Sequence, residues 1–303
     1  MSQEGKFLAV YGPPGSGKSL SCIRSLPASV VFCEIGAQPE WLGYLPKQDN
    51  RDLSCDELLG LLRTASKSKK MGAGDSIIIE DINYIWKREI AGKSGWDRFS
   101  KLEDKVMGRD GIVDTIKVLN AKGVHVLITS HQQAPKTTNT GKPLPGSLKF
   151  PGWVLPETFP GRLDVCAHME FEEGRTGSWP WWYRLSGTDE WITKCRLNAD
   201  IPALVPPNLG AILRLAGYPV KMPKGLEWMD EARSTVLAAL LEEMGNDADA
   251  YLGDVLRSQA EAWVSAHPDV NKRHLRWAMT DAVDTALLTI AQRNTIESFL
   301  DCF

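Results

Sequence analysis

The sequence has no C-x-x-C pair. Its six cysteines, Cys22, Cys33, Cys55, Cys166, Cys195 and Cys302, are scattered over 303 residues. That scatter argues against a zinc site and against a disulfide scaffold, and predicts reduced thiols in a cytoplasm. The five histidines show no ligand spacing either. No apolar run is long enough to cross a bilayer, and Met1-Ser2-Gln3-Glu4-Gly5 has no signal-peptide character, so no membrane partner is expected. There is no internal repeat and no low-complexity tract. Neither sign of charge dominates: a net charge of −3 gives no global basic signal, so contact with a polyanion must come from local patches. What remains is the profile of a soluble globular protein, 43% hydrophobic and 24% charged, long enough for one large domain or one domain plus a smaller one. Eleven tryptophans are many for this length and read mainly as core or interface anchors.

Against this background one stretch stands out. Gly12-Pro13-Pro14-Gly15-Ser16-Gly17-Lys18-Ser19 fits G-x-x-x-x-G-K-[ST], the phosphate-binding P-loop. Glycines let the backbone curl until successive N–H groups point at phosphate oxygens. Lys18 can reach the β- and γ-phosphates as a flexible point charge, and Ser19 offers a hydroxyl to Mg²⁺. The flanks agree. Lys6 to Tyr11 is a short apolar run readable as a buried strand, and Ser19 to Leu26 reads as a helix stopped by Pro27. The helix turns its positive N-terminal end to the anion. Gly12, Pro13, Pro14, Gly15, Ser16, Gly17, Lys18, Ser19 and Leu20 are therefore the expected nucleotide-binding residues.

Further β-rich runs end in polar groups. Ser29 to Glu34 closes on a carboxylate, and ligands in open α/β sheets bind at the C-terminal ends of parallel strands. Glu34 is either a group that orients or deprotonates an attacking water or a solvated strand end. Ser76-Ile77-Ile78-Ile79-Glu80-Asp81 has the Walker B pattern, in which an acid serves Mg²⁺ beside the P-loop Ser. Glu80 fits if the strand ends at Ile79, Asp81 if it runs one residue further. Val124 to Thr129 is another buried strand, followed by Ser130-His131-Gln132-Gln133. Thr129, His131 and Gln132 are placed to sense a γ-phosphate, His131 by hydrogen bonding rather than as a metal ligand.

Between these runs, Cys55 to Ala65 and Asp110 to Ala121 have helical spacing. Lys87 to Arg109 is mixed in charge, and is either a nucleic-acid-facing loop with Trp96 as a stacking residue or a solvated loop and helix. Ala134 to Phe150 carries Lys136, Lys142 and Lys149 and no acid. A long basic loop beside a phosphate sensor suits a polyanion, and a flexible surface loop is the alternative. Arg162 to Phe171 reads as a strand, Gly174 to Ser178 as a hairpin turn, and Trp179 to Leu185 and Glu190 to Arg196 as antiparallel strands. Asn208 to Ala216 reads as a closing helix and residues 217–225 as a linker. Leu226 to Met244, Tyr251 to Ala266 and about Lys272 to Leu300 then form a small helical bundle. The expected organisation is a core over residues 1–217 and a C-terminal helical domain over residues 226–303.

Over about residues 5–216 the chain resembles the RecA-like branch of P-loop ATPases, and is most similar to short phage-encoded RecA-like ATPases associated with recombination and single-strand annealing. Phe32-Cys33-Glu34 resembles the strand end bearing a catalytic glutamate. Thr137 to Gly141, with Ser147 to Phe150 and Arg162 to Val165, is similar to the second DNA-binding loop and the strand after it. Thr193-Lys194-Cys195-Arg196 resembles the K-x-R element that reaches a neighbour's nucleotide. The resemblance implies an α/β RecA-like core, a mostly parallel sheet with helices on both faces and antiparallel strands at the edge. It also implies ATP with Mg²⁺, catalytic roles for Lys18, Glu34, Glu80 or Asp81, His131, Gln132, Lys194 and Arg196, and DNA contact by Lys136, Lys142 and Lys149. Its partners would be single-stranded DNA, further copies of the chain in a ring or filament, and an annealing, single-strand-binding or replication protein. A phage-encoded chain would work in its host's cytoplasm. The paired acids Glu80-Asp81, the insert Pro151 to Pro160 and the helical tail depart from the family pattern.

The expected function is a Mg²⁺-dependent ATPase that binds single-stranded DNA and acts in phage-type recombination or annealing. A helicase loader or replication motor working on a protein partner is the alternative, followed by a nucleotide-gated assembly protein. No lid with paired arginines is visible, which argues against a small-molecule kinase.

Overall fold

A computed structural model describes residues 4–25, 30–33, 47–49, 53–137, 141, 143–152, 154–171, 181–197, 199–222, 226–245, 252–286, 288, 292 and 296. Its centre is the strand expected at the head of the P-loop, β1 (Phe7–Gly12), buried along its whole length. Alternate side chains of β1 enter different cores: Phe7, Ala9 and Tyr11 pack on one face of the sheet, Leu8 and Val10 on the other. A strand apolar on both faces needs cover on both faces, and the chain supplies it with helices.

On the first face lie α2 (Cys55–Lys67), α3 (Asn83–Ile90), α4 (Asp97–Met107) and α5 (Ile112–Ala121), whose apolar stripes share one core with Ile77, Ile79, Val126 and Ile128. On the second lie α1 (Lys18–Ser25) and α7 (Leu209–Leu215), packed on Leu8, Val10, Ile78 and Leu127. Local chemistry sets the helix starts. Ser54 and Glu57 exchange hydrogen bonds in a capping box at α2, and the Asn208 side chain accepts from the Ala211 N–H at α7.

The remaining strands are β2 (Val30–Cys33), β3 (Lys47–Asp49), β4 (Ser76–Ile79), β5 (His125–Gln133), β6 (Lys136–Thr137), β7 (Pro143–Leu144), β8 (Ser147–Leu148), β9 (Val165–Phe171), β10 (Trp181–Arg184), β11 (Lys194–Cys195) and β12 (Leu204–Val205). The main sheet runs β12-β10-β9-β1-β5-β4-β2-β3. From β9 to β3 every pairing is parallel, while β10, β11 and β12 add antiparallel edges, as expected. Strand β5 separates the P-loop strand from β4, so the polar ends of β1, β5 and β4 emerge side by side.

Of the two readings of Lys87 to Arg109, the loop and helix is the one observed: α3 ends at Ile90, a connection carrying the exposed Trp96 follows, and α4 takes most of the rest. Other elements differ from expectation. The strand expected from Arg162 begins at Val165, because Phe159–Arg162 form a 3-10 turn after the short α6 (Val154–Thr158). The strand expected over Glu190 to Arg196 shrinks to β11. The peptide at Trp191 instead bridges Gly146, and Trp191 is partly buried against the core. The expected turn over Gly174 to Ser178 lies outside the described residues.

Beyond the core, α8 (Trp228–Gly245), α9 (Leu252–Ala266) and α10 (Lys272–Thr285) bury Val236, Leu240, Leu256, Trp263, Met279 and Val283 in a core of their own. Of the helix expected to about Leu300, α10 covers the part to Thr285, Gln292 and Ile296 are helical, and most of the remainder lies outside the described residues. The bundle is clasped to α7 through polar groups. Asn208 Nδ2 donates to Asp281 Oδ1 at 2.8 Å and to Asp284 Oδ2 at 2.9 Å, and Arg214 pairs with Asp281. Among the described residues no helix is long and apolar enough to cross a membrane.

Candidate nucleotide-binding site

The Gly-rich turn between β1 and α1 has the backbone its sequence demands. Gly15 and Gly17 both sit at φ 76, a left-handed conformation costly for any residue with a Cβ. Such residues alternating along a turn aim consecutive N–H groups into one concavity, an anion cradle. Gly12 is required for another reason, since a Cβ there would stand 2.7 Å from Cβ of Met169. Ser16 is fully buried and its hydroxyl donates to the Pro13 carbonyl at 2.9 Å, closing the turn. Helix α1 begins at Lys18 and presents its N-terminus to the same concavity.

Lys18 is only 9% exposed, and its ammonium donates to the carbonyls of Pro13 at 2.8 Å and Gly12 at 3.2 Å. Burial lowers its pKa, against the opposing pull of the Asp81, Cys22 and Glu80 charges. A partly desolvated ammonium in a cradle of N–H groups is suited to a polyanionic ligand. Ser19, one residue further along α1, is half-buried.

The acid pair follows β4 directly. The strand ends at Ile79, so by its length Glu80 is the first residue past the ladder. The backbone then turns sharply, with Asp81 at φ 44. Two bonds to β5 hold that turn: Asp81 N–H donates to Thr129 Oγ1 at 2.7 Å, and Ile82 N–H to the Thr129 carbonyl at 3.0 Å. Asp81 Oδ2 lies 3.2 Å from His131 Nε2. Its other oxygen, Oδ1, is buried and has no hydrogen-bond partner, and neither has His131 Nδ1. Of the acids acting on Lys18, Asp81 exerts the larger effect.

The donor set fits Mg²⁺. A buried carboxylate oxygen without a proton donor suits a hard cation, directly or through water, and Ser19 in the first turn of α1 offers a hydroxyl. Among the described residues no cluster of three or more His, Cys, Asp or Glu could hold a metal alone. A divalent ion here would therefore share its ligands with phosphate and water.

The end of β5 completes the floor. In register Gly12 faces His131, so the Gly-rich turn and the end of β5 are direct neighbours. Gln132 Oε1 lies 3.1 Å from His168 Nε2 on β9. Burial lowers the pKa of His168 to about 4, the nearby Glu170 carboxylate only partly offsetting it, so the ring is neutral at pH 7. The structure thus brings together Gly12 to Leu20, Glu80, Asp81, Thr129, His131 and Gln132 at the ends of β1, β4 and β5.

Other expected site residues lie elsewhere. Lys194 and Arg196 sit near the start of β9, since Lys194 pairs with Cys166, while the P-loop follows the far end of β1. Lys194 Nζ donates to the Pro160 carbonyl at 2.7 Å, and burial lowers its pKa, helped by Arg196. Arg196 is exposed. Lys136 is exposed on the β6–β7 hairpin, and Lys149 is exposed with its backbone N–H donating to the His131 carbonyl at 2.9 Å. Glu34, Lys142 and Thr138 to Thr140 lie outside the described residues.

Asn83 and His168 belong to this region and were not foreseen. Asn83 Oδ1 accepts from His131 N–H at 2.8 Å and from Ser130 Oγ at 3.1 Å, and Asn83 Nδ2 donates to the Lys149 carbonyl. It locks the end of β5 to the backbone at Lys149. An Asn opening a helix reads as an ordinary cap. For His168 the usable signal was a polar residue inside the apolar run Val165 to Met169.

The strand order and the Gly-rich turn define the class, a RecA-like P-loop fold with a helical C-terminal region. No protein-family model and no curated protein matches the chain. Solved structures do. The chain is similar to the RadB recombinase, at 14% identity and TM-score 0.38 over 63% of this chain and 92% of that one. It is similar to the flagellar accessory protein FlaH from Methanocaldococcus jannaschii, at 12% identity and TM-score 0.36 over 67% and 85%. It is also similar to the genome packaging NTPase B204 from Sulfolobus turreted icosahedral virus 2, in complex with sulfate, at 11% identity and TM-score 0.27 over 56% and 76%.

Proposed function

We propose that this chain is a Mg²⁺-dependent ATPase that binds single-stranded DNA and acts, as an oligomer, in phage-type recombination or annealing. The observation that carries the nucleotide part is the Gly-rich turn, with Gly15 and Gly17 at φ 76 and the Lys18 ammonium buried in it, together with Asp81, whose Oδ1 is buried and unpartnered. In this reading the N–H groups of Gly12 to Leu20 bind the phosphates and Lys18 Nζ neutralises the terminal ones. Ser19 Oγ and Asp81 Oδ1 hold the metal, with Glu80 at hand beside them. Bound Mg²⁺ supplies charge neutralisation at the phosphate oxygens. His131 fixes Asp81 through Oδ2, Gln132 senses the terminal phosphate, and Glu34 positions the attacking water. Phosphoryl transfer asks mostly positioning and electrostatics of the protein, which such a constellation provides.

The DNA part is supported by the basic loop. Lys136 and Lys149 are exposed on a segment rooted at Gln132 and Gln133, next to the phosphate site. Oligomerisation is supported by the placement of Lys194 and Arg196 away from their own P-loop, which suits action on a neighbour's nucleotide. Residues 226–303 are in this reading a separate helical domain, supported by the apolar core that α8, α9 and α10 share.

The test is steady-state ATP turnover with and without single-stranded DNA over a range of salt. Stimulation that fades as salt rises is expected, because each neutralised phosphate releases counterions. Turnover indifferent to DNA at every salt concentration would remove the DNA part and redirect the search to a protein partner.

A further inference from the structure

His168 is an expensive residue where it stands. It is 4% exposed, inside the sheet, and its ring is neutral. A phenylalanine would fill the same space without a polar group to desolvate. The ring lies against Tyr11, the residue before Gly12, at 4.9 Å between centroids. On its other neighbour, Trp191, it is stacked at 3.9 Å and 18°. Its Nδ1 makes no hydrogen bond, the nearest carboxylate oxygen of Glu170 being 3.8 Å away. The polarity of the ring is accounted for by one contact, Nε2 to Gln132 Oε1. With Gln132 presenting its amide oxygen, Nε2 carries the proton.

Trp191 reaches the other way, into the basic loop. Gly146, on the returning limb of that loop, donates its N–H to the Glu190 carbonyl, and its own carbonyl accepts from Ile192 N–H at 2.8 Å. A Cβ on Gly146 would stand 2.3 Å from the Trp191 ring. The loop leaves the sheet after Gln133 and returns at Ser147 and Leu148, which pair with Gln133 and Gln132. Its departure and its return are thus joined twice, once by the backbone ladder and once by the path Gln132, His168, Trp191, Gly146. Tyr11 closes the second path by donating its hydroxyl to the Ile192 carbonyl at 2.8 Å.

We infer that His168 is a positioning residue: through Nε2 it fixes the Gln132 amide at the phosphate site, and through its stack on Trp191 it ties that amide to the basic loop at Gly146. The inference deepens the ATPase reading and rests on it. A nucleotide that shifts the Gln132 amide then shifts the loop, because the rings between them are packed and have no independent play.

The experiment uses trypsin, which can cut after the exposed Lys136. Three full-length proteins are compared, wild type, His168→Phe and His168→Gln. Phenylalanine keeps a ring against Trp191 and loses the donor, whereas glutamine restores an N–H near the Nε2 position. Binding of a fluorescent ATP analogue with Mg²⁺ is measured first, then cleavage at Lys136 with and without a non-hydrolysable ATP analogue. All three proteins are expected to bind nucleotide comparably. Bound nucleotide is expected to change wild-type cleavage by about fivefold or more, a typical coupling between sites. His168→Phe is expected to lose that response and His168→Gln to regain it, a rescue that a purely packing role would not give. A response in His168→Phe equal to the wild type overturns the inference and leaves the ATPase reading standing, as does wild-type cleavage that ignores bound nucleotide. Failure of the wild type to bind nucleotide at all overturns the ATPase reading, and the inference with it.

Discussion

His131 Nε2 sits 3.2 Å from Asp81 Oδ2, joining the end of β5 to the acid pair that follows β4. The contact leaves Asp81 Oδ1 buried and without a hydrogen-bond partner. The acid is thereby held by one oxygen and available through the other, the arrangement a cation-binding carboxylate needs. We predict that Asp81→Asn lowers ATP turnover by about a hundredfold or more, the usual cost of removing a charge-stabilising group. Glu80→Gln is expected to cost far less. Turnover measured against Mg²⁺ concentration decides the matter, and an equal loss in the two variants would contradict this division of roles.

Thr129 holds the strained turn. Its hydroxyl accepts from Asp81 N–H at 2.7 Å while Asp81 sits at φ 44. Thr129→Val keeps the shape and leaves that N–H unpaired. A stability loss of about 1–3 kcal/mol is expected, the cost of an unsatisfied donor. Turnover should fall with it, because Asp81 loses its placement. Urea unfolding together with turnover tests this, and a stable variant with normal turnover would sink it.

Stability should depend on pH through buried histidines. Burial lowers the pKa of His125, which lies between the Lys6 N–H and the Pro219 carbonyl, and lowers that of His168 from 6.5 to about 4. The charged form is disfavoured in the folded chain, so below about pH 6.5 the unfolded chain binds protons first. The stabilisation is complete above that pH and is lost as the pH falls toward the folded value. For His168 alone the loss is about 2 kcal/mol between about pH 7 and pH 5. His168→Phe should therefore show a flatter stability profile across that window, measured by urea unfolding at each pH. An unchanged slope would contradict the assignment.

The clasp between α7 and α10 offers a further stability test. Asn208 caps α7 and donates to both Asp281 and Asp284, and burial raises the pKa of Asp281 against the pull of Arg214. Asn208→Ala removes the cap and two donors to a buried acid pair. A loss of about 2–3 kcal/mol is expected. Calorimetry reads it as a lowered Tm. A Tm within error of the wild type would show that the clasp carries no stability.

Much of the candidate site's Gly-rich turn was legible because phosphate chemistry dictates residue order. Gly12 to Ser19 can be read without a structure, and β-branched runs such as Ile77 to Ile79 announce buried parallel strands. Helices α3 and α4 were harder to read. Glu89 is 4% exposed and is held by Lys93 at 2.6 Å and Lys105 at 2.9 Å, so an acid that reads as solvent-facing is in fact buried beneath partly exposed lysines. Trp191 and Gly146 were illegible for another reason. They are 45 positions apart in sequence, and only the folded sheet brings the Trp191 ring over a residue without a Cβ. Strand length makes Glu80 the first residue past the ladder, and what favours Asp81 is its buried, unpartnered Oδ1, which strand periodicity does not carry.

The central claim, that the Gly-rich turn and Asp81 form a working ATP site, is tested most directly by ATP hydrolysis with Mg²⁺ in the wild type and in Lys18→Ala. The account predicts measurable turnover in the wild type, loss of about a hundredfold or more in Lys18→Ala, and loss in both when Mg²⁺ is chelated. A wild type without turnover, or a Lys18→Ala variant as active as the wild type, would contradict it.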